Sequence, residues 1–180
     1  MHAHAHVHMD LTTTGLPSMV ASKLCRRVVA SDNNAMVLRL LARNARLNEQ
    51  YRSDTSTSTI SSARVEWGEL LDEAAPLRHA FDLVIGSDVV YQEDVIPSLL
   101  ASAVSLLDPS SPQAALVIVY ANRVPAVRER LMREVTQRRA RLQSLPLPAS
   151  ARAHEHEHPL EILCIRFAGP NGDGDGDSGS

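Results

Sequence analysis

The sequence predicts an α/β domain built on a doubly wound, mainly parallel sheet, and three observations carry that prediction. FDLVIGS (81–87) and ALVIVY (115–120) are continuous apolar runs, as expected of strands covered on both faces. Between them, Val95, Leu99, Leu100, Val104 and Leu107 recur at helical spacing over 94–107. The same alternation of strand and helix extends along most of the chain, which implies βαβ units. Their crossovers are right-handed, so helices cover both sheet faces. Ligands of such sheets lie at the carboxyl ends of the strands.

The elements follow in order. HMDLTTTGLPSMV (8–20) reads as an apolar stretch through Val7, Met9 and Leu11, then a turn with Gly15 as its one glycine, then a helix start near Pro17. The helix over 17–24 turns Met19, Val20 and Leu24 to one side. Val28, Val29 and Ala30 form a short buried strand ending in Asp32, Asn33 and Asn34, residue types that cap helices. Val37, Leu40, Leu41, Asn44 and Leu47 then repeat at helical spacing. YRSDTSTSTISS (51–62) loses periodicity and is expected to be a flexible surface insertion. RVEWG (64–68) is a short strand candidate. PSSPQ (109–113) breaks the helix before the strand at 115–120, and a helix is expected over 125–142 with Val127, Leu131 and Val135 inward. Residues 144–160 read as a loop, and EILCIRF (161–167) as the last strand. These make a single domain over 1–168. The Gly- and Asp-rich tail from 169 to 180 is expected to be disordered.

Composition narrows the function. The chain has 180 residues, enough for one core. A net charge of −3 argues against general nucleic-acid binding. Cys25 and Cys164 stand in unrelated contexts, so no disulfide framework is indicated and a reducing compartment is expected. No apolar run approaches the length of a membrane span, and MHAHAHVH is not a secretory signal.

The strand-end rule selects Gly15, Asp32, Trp67, Ser87, Asp88 and Tyr91. Asp32 either accepts hydrogen bonds from the hydroxyls of a ribose or caps the next helix. The indole of Trp67 either packs on an adenine or fills an edge-strand position. Asp88 and Tyr91, directly after a buried strand, either line the mouth of a pocket or serve as turn cap and packing residue.

FDLVIGSDVVYQEDVIPSLLASAVSLL resembles the segment that marks the seven-β-strand S-adenosylmethionine-dependent methyltransferases of the lysine-methylating group (methyltransferase family 16), with Asp88-Val-Val-Tyr91 matching its Asp-x-x-Tyr signature. GLPSMVASKLCRRVVASDNN, RVEWGE and ALVIVYANR resemble further parts of that family in the same order, over roughly residues 9–123. The resemblance implies a Rossmann-like fold with S-adenosylmethionine as cofactor. It places Asp32 on the ribose and Glu66 and Trp67 at the adenine. Gly15 and Asn33 join the cofactor-binding residues, and Ser87 lies beside the cofactor through its backbone. Asp88 and Tyr91 would form the wall between methyl donor and lysine amine.

Two stretches depart from the family pattern. Thr12, Thr13 and Thr14 stand where its loop carries glycines, and threonine is poorly suited to positive φ. MHAHAHVH must itself supply strand one, and a truncated start is the expected explanation. The function expected is methyl transfer to a lysine of a protein substrate. The alternative is a catalytically inactive Rossmann-like module that binds a partner protein. A monomer is expected, with no nucleic-acid, membrane or metal partner, in the cytoplasm or the nucleus. HEHEH (154–158) matches a zinc-helix pattern, but Pro159 ends any helix there. Asp173, Asp175 and Asp177 imitate a calcium loop that lacks its turn glycine and terminal glutamate.

Overall fold

The computed structural model describes residues 6–10, 15–49, 58–68, 72–152 and 158–168. Seven strands form one sheet: β1 (His6–Asp10), β2 (Arg27–Asp32), β3 (Thr59–Arg64), β4 (Leu83–Ser87), β5 (Ala115–Ala121), β6 (Arg141–Leu145) and β7 (Leu160–Arg166). Their order across the sheet is β3-β2-β1-β4-β5-β7-β6. The first five pair in parallel, while β7 runs antiparallel to both β5 and β6. The helices are α1 (Leu16–Ala21), α2 (Ala35–Glu49), α3 (Val95–Leu106), α4 (Pro125–Gln137) and the short α5 (Ala149–Arg152), with a 3-10 segment over Asp72–Leu77.

The order reverses at β1. The chain winds outward through β2 and β3, returns to β4 on the other side of β1, and continues through β5. The expected doubly wound sheet is therefore present, and its crevice opens at the carboxyl ends of β1 and β4.

The two faces are filled unequally. On one, Ile96, Leu99 and Leu100 of α3 and Val127, Leu131 and Val135 of α4 pack onto Val84, Leu116, Ile118, Leu163 and Ile165, all buried. On the other, Ala21 of α1 and Val28 form a small cluster with Cys25, Ile60, Leu83 and Ile85 only partly buried around it. Leu16 and Val20 of α1, Leu24 in the turn after it, and Met36 and Leu47 of α2 remain exposed there. A cavity of about 200 Å³ lies between α2 and strands β2 and β3, lined by Ala30, Leu41, Ala45 and Ile60 among others.

Several sequence expectations change. The third strand is Thr59–Arg64, so residues 59–62 belong to the sheet and not to a flexible insertion, while residues 50–57 lie outside the described residues. An edge strand needs only one hydrogen-bonded neighbour, and exposed serine and threonine suffice for its outer positions. The 64–68 strand candidate shifts accordingly: Val65, Glu66, Trp67 and Gly68 leave the sheet. The helix expected over 125–142 ends at Gln137, because Arg139 takes a φ of 52° and turns the chain into β6. The 144–160 loop contains the end of β6, α5 and the first residue of β7. The histidine-rich first strand does form centrally, as His6–Asp10, though its side chains lie outside the described residues, as do Thr12–Thr14. Cys25 and Cys164 are free thiols, and burial pushes that of Cys25 up.

Candidate active site

The carboxyl ends of the parallel strands gather the residues selected from the sequence. Gly15 directly precedes α1, with a φ of 71°. A Cβ there would stand 2.7 Å from Leu41 Cδ2, a movable side-chain tip, so it is the positive φ that favours glycine at this turn.

Asp32 ends β2 and is 1% exposed. Its Oδ1 accepts a hydrogen bond from the Asn34 amide at 2.7 Å. Among the described residues, its buried Oδ2 has no hydrogen-bond partner. The helix-capping role falls to Asn34, whose Oδ1 accepts from the Met36 amide at 2.8 Å. Asn34 thus resolves one of the two readings of Asp32: the aspartate is not needed as the α2 cap. A buried carboxylate oxygen without a donor costs free energy, on the order of 1–3 kcal/mol for the unpaired group. Asn33 is exposed beside it.

The Glu66-Trp67-Gly68 turn follows β3 and is tied down at both ends. Val65 N donates to Asp32 O at 3.3 Å, and Gly68 N donates to Ser102 Oγ at 2.9 Å. Trp67 is partly buried against the main core, while Glu66 is exposed. Gly68 adopts a φ of 108°, which lets the turn close against Ser98 and Ser102 of α3.

Across β1, Ser87 ends β4 in register with Val119 of β5. Asp88 then takes a φ of 57°, uncommon for a residue with a side chain, and its amide donates to Val119 O at 2.6 Å. Val89 and Val90 are buried directly after it, and Gly86 makes room for Val89. Those contacts hold the turn, and they leave Asp88 and Tyr91 exposed at the rim. The Asp88 carboxylate is not free. Arg123 Nη1 lies 3.2 Å from Oδ1 and 3.0 Å from Oδ2, and Nη2 lies 3.1 Å from Oδ2.

Arg123 lies just past β5, at the end of the ALVIVYANR stretch, and the sequence alone assigns it no role. Its backbone is fixed by its neighbours: Asn122 N donates to Pro159 O at 2.8 Å, and Asn122 Nδ2 donates to Glu161 Oε1 at 3.0 Å. Glu161 also receives Arg128 Nε at 2.9 and 3.1 Å. Burial, reinforced by the Glu161 charge, pushes the Tyr120 phenol up to about 12. Among the described residues, no group of three His, Cys, Asp or Glu side chains could hold a metal ion, and of HEHEH only His158 is described. No described helix is long and apolar enough to cross a membrane.

A family model described as lysine methyltransferase matches residues 12–138. The chain belongs to the lysine methyltransferase family. It is 29% identical over 105 residues to protein N-lysine methyltransferase METTL21A of Xenopus tropicalis, a match covering 58% of this chain and 44% of that protein. The matched stretch thus spans less than half the length of that relative. Solved structures share the fold at low identity. A SAM-dependent methyltransferase from Aquifex aeolicus superposes with a TM-score of 0.62 at 11% identity, over 91% of this chain and 82% of its own. SMU.1697c from Streptococcus mutans, in complex with SAH, gives 0.56 at 13% identity, over 89% and 88%. The fold is that of the class I S-adenosylmethionine-dependent methyltransferases.

Proposed function

We propose that this domain binds S-adenosylmethionine across the ends of β1, β2 and β4 and transfers its methyl group to a lysine side chain of a protein substrate. The observation that carries the reading is Asp32: a buried carboxylate at the end of β2 with one oxygen engaged by the next turn and the other without a donor among the described residues. The two hydroxyls of a ribose supply the donors that such an oxygen lacks. Family membership and the fold support the same cofactor.

The residues present fit the group. Asp32 would accept from the ribose, with Asn33 beside it. Trp67 and Glu66 would border the adenine, and Gly15 and the Ser87 backbone would flank the rest. S-adenosylmethionine supplies a methyl group already activated on a sulfonium, so no strong base is required of the protein. What remains is to orient a neutral amine and to exclude water. Asp88 accepts a hydrogen bond from the acceptor amine, and the Tyr91 phenol borders its path. The same reading places the protein in the cytoplasm or nucleus, where protein lysines are accessible and both thiols stay reduced.

Isothermal calorimetry with S-adenosylmethionine tests the reading. Saturable binding is expected. No heat at millimolar ligand overturns it and leaves the non-catalytic partner-binding module.

A further inference from the structure

The Asp88 carboxylate, in the reading above, receives the acceptor amine. Both of its oxygens are already engaged by a cation from the same chain, in a fork geometry that matches guanidinium to carboxylate. Arg123 therefore stands where an incoming lysine must come. Among the described residues, Asp88 is the one carboxylate with which Arg123 pairs. The neighbouring carboxylate of Glu161 is occupied by Arg128 and Asn122.

The pair is easily opened. Its side chains are 50% and 48% exposed, and ion pairs of that exposure contribute little. Opening it nonetheless has a consequence for selectivity. When an amine takes over Asp88, the guanidinium loses its counter-charge at the rim of the site. A basic side chain next to the target lysine would then meet Arg123 as a like charge, and a neutral one would leave it unpaired. A carboxylate next to the target lysine would take it over, so that the guanidinium exchanges one anionic partner for another.

We propose that Arg123 determines acceptor specificity: it guards Asp88 in the free enzyme and favours lysines flanked by an acidic side chain. The inference rests on Asp88 being the residue that receives the amine. The backbone anchors at Asn122 make this selective and not merely adaptive, because they hold the base of the Arg123 side chain while its tip changes partner.

The test is peptide binding measured by fluorescence anisotropy, with S-adenosylhomocysteine present and no turnover. Two labelled peptides differ only in carrying Glu or Gln beside the lysine. Wild type is expected to bind the Glu peptide about threefold to fivefold more tightly. Arg123→Gln is expected to bring that ratio to about one, and Arg123→Lys to restore part of it. Because Arg123 is half exposed, the variants are expected to fold, which circular dichroism checks. An equal ratio in wild type, or a wild-type preference that survives in Arg123→Gln, overturns the proposal. Failure of both peptides to bind also overturns it. Calorimetry with S-adenosylmethionine then decides whether the methyl-transfer reading falls as well: cofactor binding without peptide binding sinks only the acceptor site.

Discussion

Two aspartates stand at strand ends on either side of β1, and their circumstances are opposite. Asp32 is almost completely buried and keeps an oxygen without a donor among the described residues. Asp88 is half exposed and has both oxygens engaged by Arg123. Exposure alone would suggest the reverse, since buried carboxylates are normally the paired ones. The missing donor at Asp32 is what the ribose of the proposed cofactor would supply. Under the proposed function, the contrast separates a position that a ligand would complete from one that is self-contained until an acceptor displaces its partner.

The largest effect should come from removing the unfilled acceptor. Asp32→Ala is expected to weaken S-adenosylmethionine binding on the order of a hundredfold, because two hydrogen bonds to a charged oxygen are lost. Asp88→Asn should leave the cofactor affinity within about twofold, since an exposed rim carboxylate contributes little to a ligand that it does not hold. Calorimetry on both variants measures the difference. Equal losses would erase the distinction between the two aspartates, and an unchanged Asp32→Ala would refute the ribose assignment.

How much of this was legible in the sequence depends on where each residue spends its side chain. β4 and β5 declare themselves because both faces are covered, so Leu83–Ser87 and Ala115–Ala121 must be apolar almost throughout. The edge strands do not. β3 is TISSAR and β6 is RLQSL, mostly exposed or half-buried, and the hydrogen bonds that make them strands come from neighbours distant in sequence. The end of α4 was hidden for another reason: Arg139 adopts positive φ without the glycine that usually advertises it. At the site, the strand-end rule found Asp32 and Asp88, but not which helix cap would free Asp32. That role went to Asn34, two residues on and chemically equivalent as a cap. The Arg123 fork was out of reach, since it joins residues 35 apart through the register of β4 against β5.

Smaller effects test what holds the Asp88 side in place. A Cβ at Gly86 would lie 2.5 Å from Val89 Cγ2, and Val89 is fully buried. Gly86→Ala should therefore destabilise the fold by about 2 kcal/mol, read by denaturant unfolding. Glu134 supplies the combination that neither aspartate shows, a carboxylate both buried and paired. Arg130 reaches it at 2.6 Å and Arg138 also clasps it. The Arg138 hydrogen bond holds its pKa below the usual carboxylate value, so the folded state prefers the charged form. That contribution is present above the unfolded pKa and is lost as pH falls through the folded one. Glu134→Gln should thus cost about 1 kcal/mol at neutral pH, with the difference from wild type vanishing in acid. A gap that persists at pH 3 would mean that packing, not charge, accounts for it.

The smallest expected effect is the most discriminating for the rim. Arg123→Ala removes the partner from an exposed carboxylate, and its effect on unfolding free energy should stay within about 0.5 kcal/mol. If Asp88 were held in its positive-φ turn by Arg123, the loss would be several times larger, because the strained backbone would relax with it. The turn has other supports: the Asp88 amide on Val119 O and the buried Val89 and Val90 fix it without the ion pair. A guanidinium that costs almost nothing to remove, yet covers both oxygens of Asp88, would be placed for exchange and not for stability. Unfolding curves of Arg123→Ala and wild type that coincide support that division. A loss of 2 kcal/mol would make Arg123 a structural strut and leave the contrast between the two aspartates with only its buried half.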